Sequence, residues 1–358
     1  MTETEFKGQD FEKSLTDATA NVAEFDDSER SALRRFQQIL HSTPSLVPLI
    51  VLAASLIVFG LLEERFFRAA TLTLIMQQIA VVGILGVAQS LVILTAGIDL
   101  SVGAFAVFTS VVMGQFTFRY GIPPAISIVI GLAVGTALGA INGWLVAKVK
   151  LPPFIVTLGT WQIVLAANFM YSANETIRSQ DIEAEAPILQ FWGTSFKIGA
   201  TTATLAVLLL IAIVIIMAYV LRQTAWGRHT YAVGDDPEAA ELAGVQVKRQ
   251  LIQVYALAGF FTAVAGWVMI GRYGSVSPAA STGQIGNIQA ITAVVIGGIS
   301  LFGGRGSILG MFFGALIVGV FELGLRMLGT NPQLTYLLIG VLIISAVATD
   351  QWIRKISG

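Results

Sequence analysis

With 358 residues, 55% of them hydrophobic and only 12% charged, and a mean hydropathy of +0.78, the chain is too apolar for an ordinary water-soluble domain. Its net charge of −1, and aromatic residues that sit in apolar runs rather than among Lys and Arg, exclude a nucleic-acid-binding surface. The absence of cysteine excludes disulfides, thiolate metal sites and a cysteine nucleophile, and leaves the redox compartment open.

The charges are unevenly spread. Residues 1–45 carry nine acids and five bases, whereas 72–118 contain only Asp99. No early basic and apolar signal sequence is visible, so the first crossing is expected to be retained. Residues 1–27 read as a polar tail. From Ser28 onward, Leu33, Phe36 and Leu40 share one helical face and Arg30, Arg34 and Arg35 the other. This pattern is that of an interfacial helix within a cytoplasmic tail over 1–45, an ordinary short soluble helix being the alternative.

Apolar segments follow at 46–62, 72–95, 101–118, 124–147, 154–171, 202–222, 250–271, 289–303, 308–328 and 333–349. Because a hydrocarbon core takes about 20 apolar residues per helix, the expected fold is all-α, a polytopic bundle of about ten crossings over 46–350. The segments 101–118 and 289–303 are short enough to be broken or re-entrant. Lys and Arg, richest in the 222–249 loop, favour both termini, including a tail at 351–358, on the cytoplasmic side.

In chain order, Gln78 and Gln89 lie eleven residues apart, near three helical turns, and so share a face. Asp99, flanked by Gly97, Ser101 and Gly103, marks a helix break, where it either caps the next helix or serves a gate. Gly131, Gly135, Gly139 and Gly143 recur every four residues, as do Gly310 and Gly314, which predicts close helix packing. Asn142 ends the first of these ridges, and Thr157, Thr160, Trp161, Gln162 and Asn168 gather in the following helix. Uncharged hydrogen-bonding groups beside an aromatic ring suit a polyhydroxylated neutral solute. Gln78, Gln89, Asp99, Asn142, Thr157, Thr160, Trp161, Gln162 and Asn168 are therefore candidate path residues, with interhelical hydrogen bonding as the competing explanation.

Two polar connections are long. The outer one, 172–201, carries Glu175, Asp181, Glu183 and Glu185 with Phe191 and Trp192, and reads either as a partner surface or as a solvated loop. In the inner one, 223–249, Asp235 and Asp236 precede Pro237, and Gly244 follows Glu238, Ala240 and Glu241. An acidic N-cap, a proline at the first helical position and a terminal glycine specify a helix of about two turns. The glycine-rich run 297–307 contains no Gly-Lys dipeptide, and none exists elsewhere in the chain, so a Walker-type phosphate loop is excluded. Glu322 and Arg326 are spaced to pair. His41 and His229 fall outside the crossings, and no metal or nucleophile constellation appears.

Four ordered motifs carry a resemblance. AGIDLSVGA around Asp99, PPFIVTLGT at 152–160, GRHTYAVGDDPEAAELAGVQVKR at 227–249 and AVVIGGISLFGGRGSILG at 293–310 resemble the permease family of monosaccharide ABC importers, most closely its fructose and ribose types. The resemblance implies a homodimer of permease chains in a bacterial inner membrane, a cytoplasmic ABC ATPase that uses ATP and magnesium, and a periplasmic sugar-binding protein. This chain would then be no enzyme and would hold no cofactor. The segment Asp235, Asp236, Pro237, Glu238, Ala240, Glu241, Gly244 matches the family's ATPase-coupling region. One departure is that Asn287 and Gln289 stand where family members often carry acids. The rival expectation is a stand-alone secondary sugar transporter or facilitator, for which Asp99 and a paired Glu322 are a poor ion supply.

Overall fold

The computed structural model describes residues 46–199, 201–331 and scattered positions from 333 to 348; the interfacial helix expected before 46 lies outside the described residues. The helices, in chain order, are α1 (Leu46–Leu62), α2 (Ala69–Leu94), α3 (Val102–Phe118), α4 (Pro124–Ala147), α5 (Pro153–Ser172), α6 (Ser179–Glu185), α7 (Leu205–Gln223), α8 (Ala225–Asp235), α9 (Pro237–Leu242), α10 (Val247–Tyr273), α11 (Ala280–Ile296) and α12 (Ile308–Met327). The described positions between 333 and 348 are also helical. Among the described residues six helices, α2, α4, α5, α7, α10 and α12, are long and apolar enough to cross a membrane, and α1 and α3 are shorter apolar helices. This is a polytopic, predominantly helical membrane protein.

Local chemistry sets several helix starts. Pro124 and Pro153 open α4 and α5 at the first helical position, where a missing N–H costs nothing. Packing then follows the glycines. The α4 ridge lies against α10: a Cβ at Gly139 would stand 2.2 Å from the Tyr255 carbonyl oxygen, and one at Gly259 would stand 2.2 Å from that of Gly135. On α12, a Cβ at Gly314 would approach the Ala293 carbonyl of α11 to 2.0 Å. Both ridges are packing seams, because in lipid close backbone approach recovers dispersion that burial of apolar area does not supply. The most buried helices are α2, α3, α10, α12 and the second half of α11, whereas α4, α5 and α7 carry exposed apolar side chains such as Val129, Ile163 and Ile215.

Two segments differ from expectation. The apolar window at 289–303 is not the helix; α11 runs from Ala280 to Ile296, and the chain turns over 297–306. Its first turns, Ser281-Thr282-Gly283-Gln284, are polar, so hydropathy conceals them, while Ile299 and Leu301 extend the apolar run into a turn with positive φ at Gly298, Gly303, Gly304 and Gly306. An extended stretch precedes α11 and enters the bundle, with Val276 bridged to Ile177 and the Pro278 carbonyl accepting from Asn168 Nδ2 at 2.8 Å. The connection 172–201 is largely folded. It contains α6, a 3-10 turn over Pro187–Gly193, and a hairpin of β1 (Ser195–Ile198) and β2 (Thr201–Thr204) that pairs Phe196 with Ala203. Its Ile182, Ala186 and Leu189 are buried in a cluster with Val111, Met113 and Ile270, and Trp192 meets Trp267 edge-on at 5.3 Å.

Candidate functional site: a capped knob, a helix break and a polar cavity

The 223–249 segment holds two helices rather than one. The Thr224 hydroxyl caps α8 by accepting from Gly227 N at 3.2 Å, and Gln250 Nε2 fastens α8 to the start of α10 by donating to Thr230 Oγ1 at 2.7 Å. Asp235 is the last residue of α8. Asp236 caps α9, its Oδ1 accepting from Glu238 N at 2.9 Å and Ala239 N at 3.0 Å, and Pro237 occupies the first helical position. Ala240 turns inward at 4% exposure, while Glu238 and Glu241 face out and Leu242 is 91% exposed. Gly244, at φ +88°, ends the knob in the left-handed region.

The base of this knob meets the end of α2 backbone to backbone. A Cβ at Gly234 would stand 1.8 Å from the Leu94 carbonyl oxygen, which accepts from Gly304 N at 3.0 Å; a Cβ at Gly303 would meet Gly234 O at 2.5 Å and Ala96 N at 2.8 Å. Tyr231 adds a hydroxyl bond to the Gly306 carbonyl at 2.9 Å, and its burial pushes that hydroxyl's pKa upward. Three segments far apart in sequence thus share one junction.

Beyond Leu94 the chain breaks at 95–101, with Ala96 at φ +60°. The N-cap of α3 is Ser101; Asp99 sits two residues earlier and closes a local turn, its Oδ1 accepting from Ser101 N at 2.7 Å and Ser101 Oγ at 2.5 Å. Three helices send one amide or hydroxyl each to this break. Asn142 donates to Ser101 Oγ at 3.1 Å, Thr157 to the Ile98 carbonyl at 3.0 Å and Asn287 to the Leu100 carbonyl at 2.9 Å. Asp99, Asn142 and Thr157 therefore come together. Gln89 is fully buried in α2, and neither of its amide atoms has a partner among the described residues.

The other candidates separate. Asn168 binds the stretch before α11, Thr160 donates to the Thr157 carbonyl within its own helix, Trp161 packs beside Phe105 and Val164, and Gln162 is exposed. Of the expected path residues, Gln78 lines two neighbouring cavities. One cavity of 210 Å³ is bordered by Gln78, Arg272, Tyr273, Ser281, Thr282, Gln289 and Glu322. A neighbouring one of 440 Å³ shares Gln78, Arg272 and Tyr273 with it and extends to Trp192, Thr204 and Arg326. Arg272 donates to the Gln77 carbonyl along this shared wall. Glu322 pairs with Arg326 at 3.5 Å as its spacing predicts, and its second oxygen accepts from Gln289 Nε2 at 3.2 Å. Sequence reasoning missed Arg272, Ser281 and Thr282; the available signal was Glu322, an ionisable group in an apolar helix.

The family described as "Branched-chain amino acid transport system / permease component" matches residues 71–347, which takes in the break, the knob and both cavities. The chain belongs to this permease family. It is accordingly a transport component rather than an enzyme. Across 98% of its length it is 65% identical to the fructose import permease protein FrcC of Rhizobium meliloti, covering 97% of that protein. It is also 33% identical over 86% of its length to the ribose import permease protein RbsC of Bacillus subtilis, and 34% identical over 86% to that of Escherichia coli K12, covering 92% of each. No solved structure matches it.

Proposed function

We propose that this permease is the membrane subunit of an ATP-driven fructose importer. The observation that carries the reading is the 65% identity to a fructose import permease over 98% of the chain. The structure supports a division of labour: the α9 knob, capped by Asp236 and exposing Glu238, Glu241 and Leu242, is a docking feature, and the chain has no phosphate loop of its own. In this reading a cytoplasmic ABC ATPase, using ATP and magnesium, grips the knob. Two permease chains form a homodimer in the bacterial inner membrane with both termini cytoplasmic, and a periplasmic binding protein delivers the sugar.

Nucleotide binding moves α8 and α9, the junction at Leu94 passes the displacement to α2, and the cavity beside Gln78 alternates its opening. ATP and the loaded binding protein act only to the extent that each favours one opening over the other. Purified permease, ATPase and binding protein in lipid vesicles should accumulate labelled fructose only when ATP is enclosed with the ATPase. Accumulation without the ATPase would establish a stand-alone transporter instead, and preferential uptake of ribose would reassign the sugar.

A further inference from the structure

The smaller cavity holds what an uncharged path would lack, a charged donor and a charged acceptor brought to one space by different helices. Arg272, at the end of α10, spends an N–H on the Gln77 carbonyl and retains others of its five donors. Glu322, on α12, offers carboxylate oxygens, and Gln289 on α11 and Gln78 on α2 can each donate and accept. Ser281 and Thr282 add hydroxyls from the first turn of α11, whose N-cap, Ala279, supplies no side-chain acceptor. The Tyr273 ring, 5.8 Å from the Arg272 guanidinium carbon, gives the same wall an aromatic face.

We propose that this cavity is a sugar-contacting subsite of the permease itself: Arg272 donates to, and Glu322 accepts from, the hydroxyls of a neutral monosaccharide, and Gln78 and Gln289 do both. The inference rests on the reading of this chain as a sugar permease. The chemistry selects a polyol because each hydroxyl is both donor and acceptor, so it satisfies Arg272 and Glu322 together. An anionic solute would meet the Glu322 carboxylate, and a cationic one the Arg272 guanidinium. At 210 Å³ the space falls below the roughly 300–1,000 Å³ typical of drug-sized sites, which suits a small solute. The larger cavity adjoins it across Gln78, Arg272 and Tyr273, so a second polar space lies beside the first.

The absence of cysteine makes a direct test available. Ser281→Cys is introduced into the full chain, in vesicles with its ATPase and binding protein, and its labelling rate by a membrane-impermeant thiosulfonate is measured with fructose or with potassium chloride of equal osmolarity. Fructose should slow labelling severalfold and potassium chloride should not. Adding Gln289→Leu should leave the sugar-free rate unchanged while raising the fructose needed for protection by about tenfold, the effect of losing one good hydrogen bond. Equal labelling with and without fructose, in vesicles that accumulate fructose, overturns the subsite and leaves the functional reading standing. Vesicles that take up ribose but no fructose overturn the sugar assignment, and protection by ribose then decides the subsite. If Ser281→Cys does not insert, Thr282→Cys reports from the adjacent position.

Discussion

The knob at 235–244 and the cavity around Gln78 are both polar, yet they are built in opposite ways. Every determinant of the knob lies within ten consecutive residues: Asp236 caps, Pro237 starts, Ala240 anchors and Gly244 stops. The cavity draws Gln78, Arg272, Gln289 and Glu322 from four helices separated by up to 244 positions (322 − 78). The signals that shape the knob are local in sequence, whereas the cavity exists only once the bundle has closed. The knob should therefore tolerate change in the membrane core, and the cavity should depend on every seam that positions its helices.

The sharpest way to break that contrast is Gly234→Ala, which touches neither region's working groups but lies where they are joined. A methyl 1.8 Å from the Leu94 oxygen forces the backbones apart, an overpacking cost of about 1–3 kcal/mol. ATP-driven uptake should fall roughly tenfold to a hundredfold while the ATPase still copurifies, with uptake per ATP hydrolysed as the readout; unimpaired uptake would deny the junction its role. Next in size, reversing charge with Glu238→Lys and Glu241→Lys should weaken ATPase copurification about tenfold, with a salt dependence, if the knob is the docking feature. Asp236→Ala removes two capping bonds and should destabilise α9 by about 1 kcal/mol, reducing copurification several-fold while the labelling rate of Ser281→Cys stays constant. The smallest effect is expected of Thr157→Val, which frees the Ile98 carbonyl: about 1 kcal/mol of stability, seen as a lower unfolding temperature, with uptake per ATP unchanged.

What could be read in advance follows the same division. The capped loop, the glycine seams, the break at Asp99 and the Glu322–Arg326 pair all declare themselves by spacing within one or two helices, and the structure places each as expected. Asp99 was legible as a break but not as a partner of Ser101, since cap and turn share the same residue types. The start of α11 escaped because helix and hydropathy part company there: Ser281 and Thr282 of its first turn line the cavity, and an apolar window does not contain them. Polar groups in α5 looked alike in sequence, yet Thr157 and Asn168 are tied to backbone carbonyls while Gln162 faces outward. Which neighbour satisfies an amide is a tertiary fact, and periodicity along one helix does not contain it.

The glycine contact at Leu94 has a mechanical consequence. Side chains between two helices give way by changing rotamer, so part of any push is lost in slack; bare backbones in contact have none. From that fulcrum α2 runs without interruption to the cavity, and Gln78, sixteen residues back from Leu94, lies about 24 Å along the rod at 1.5 Å per residue. Tilting such a rod by about 5° swings its far end by about 2 Å, enough to break or remake a hydrogen bond there.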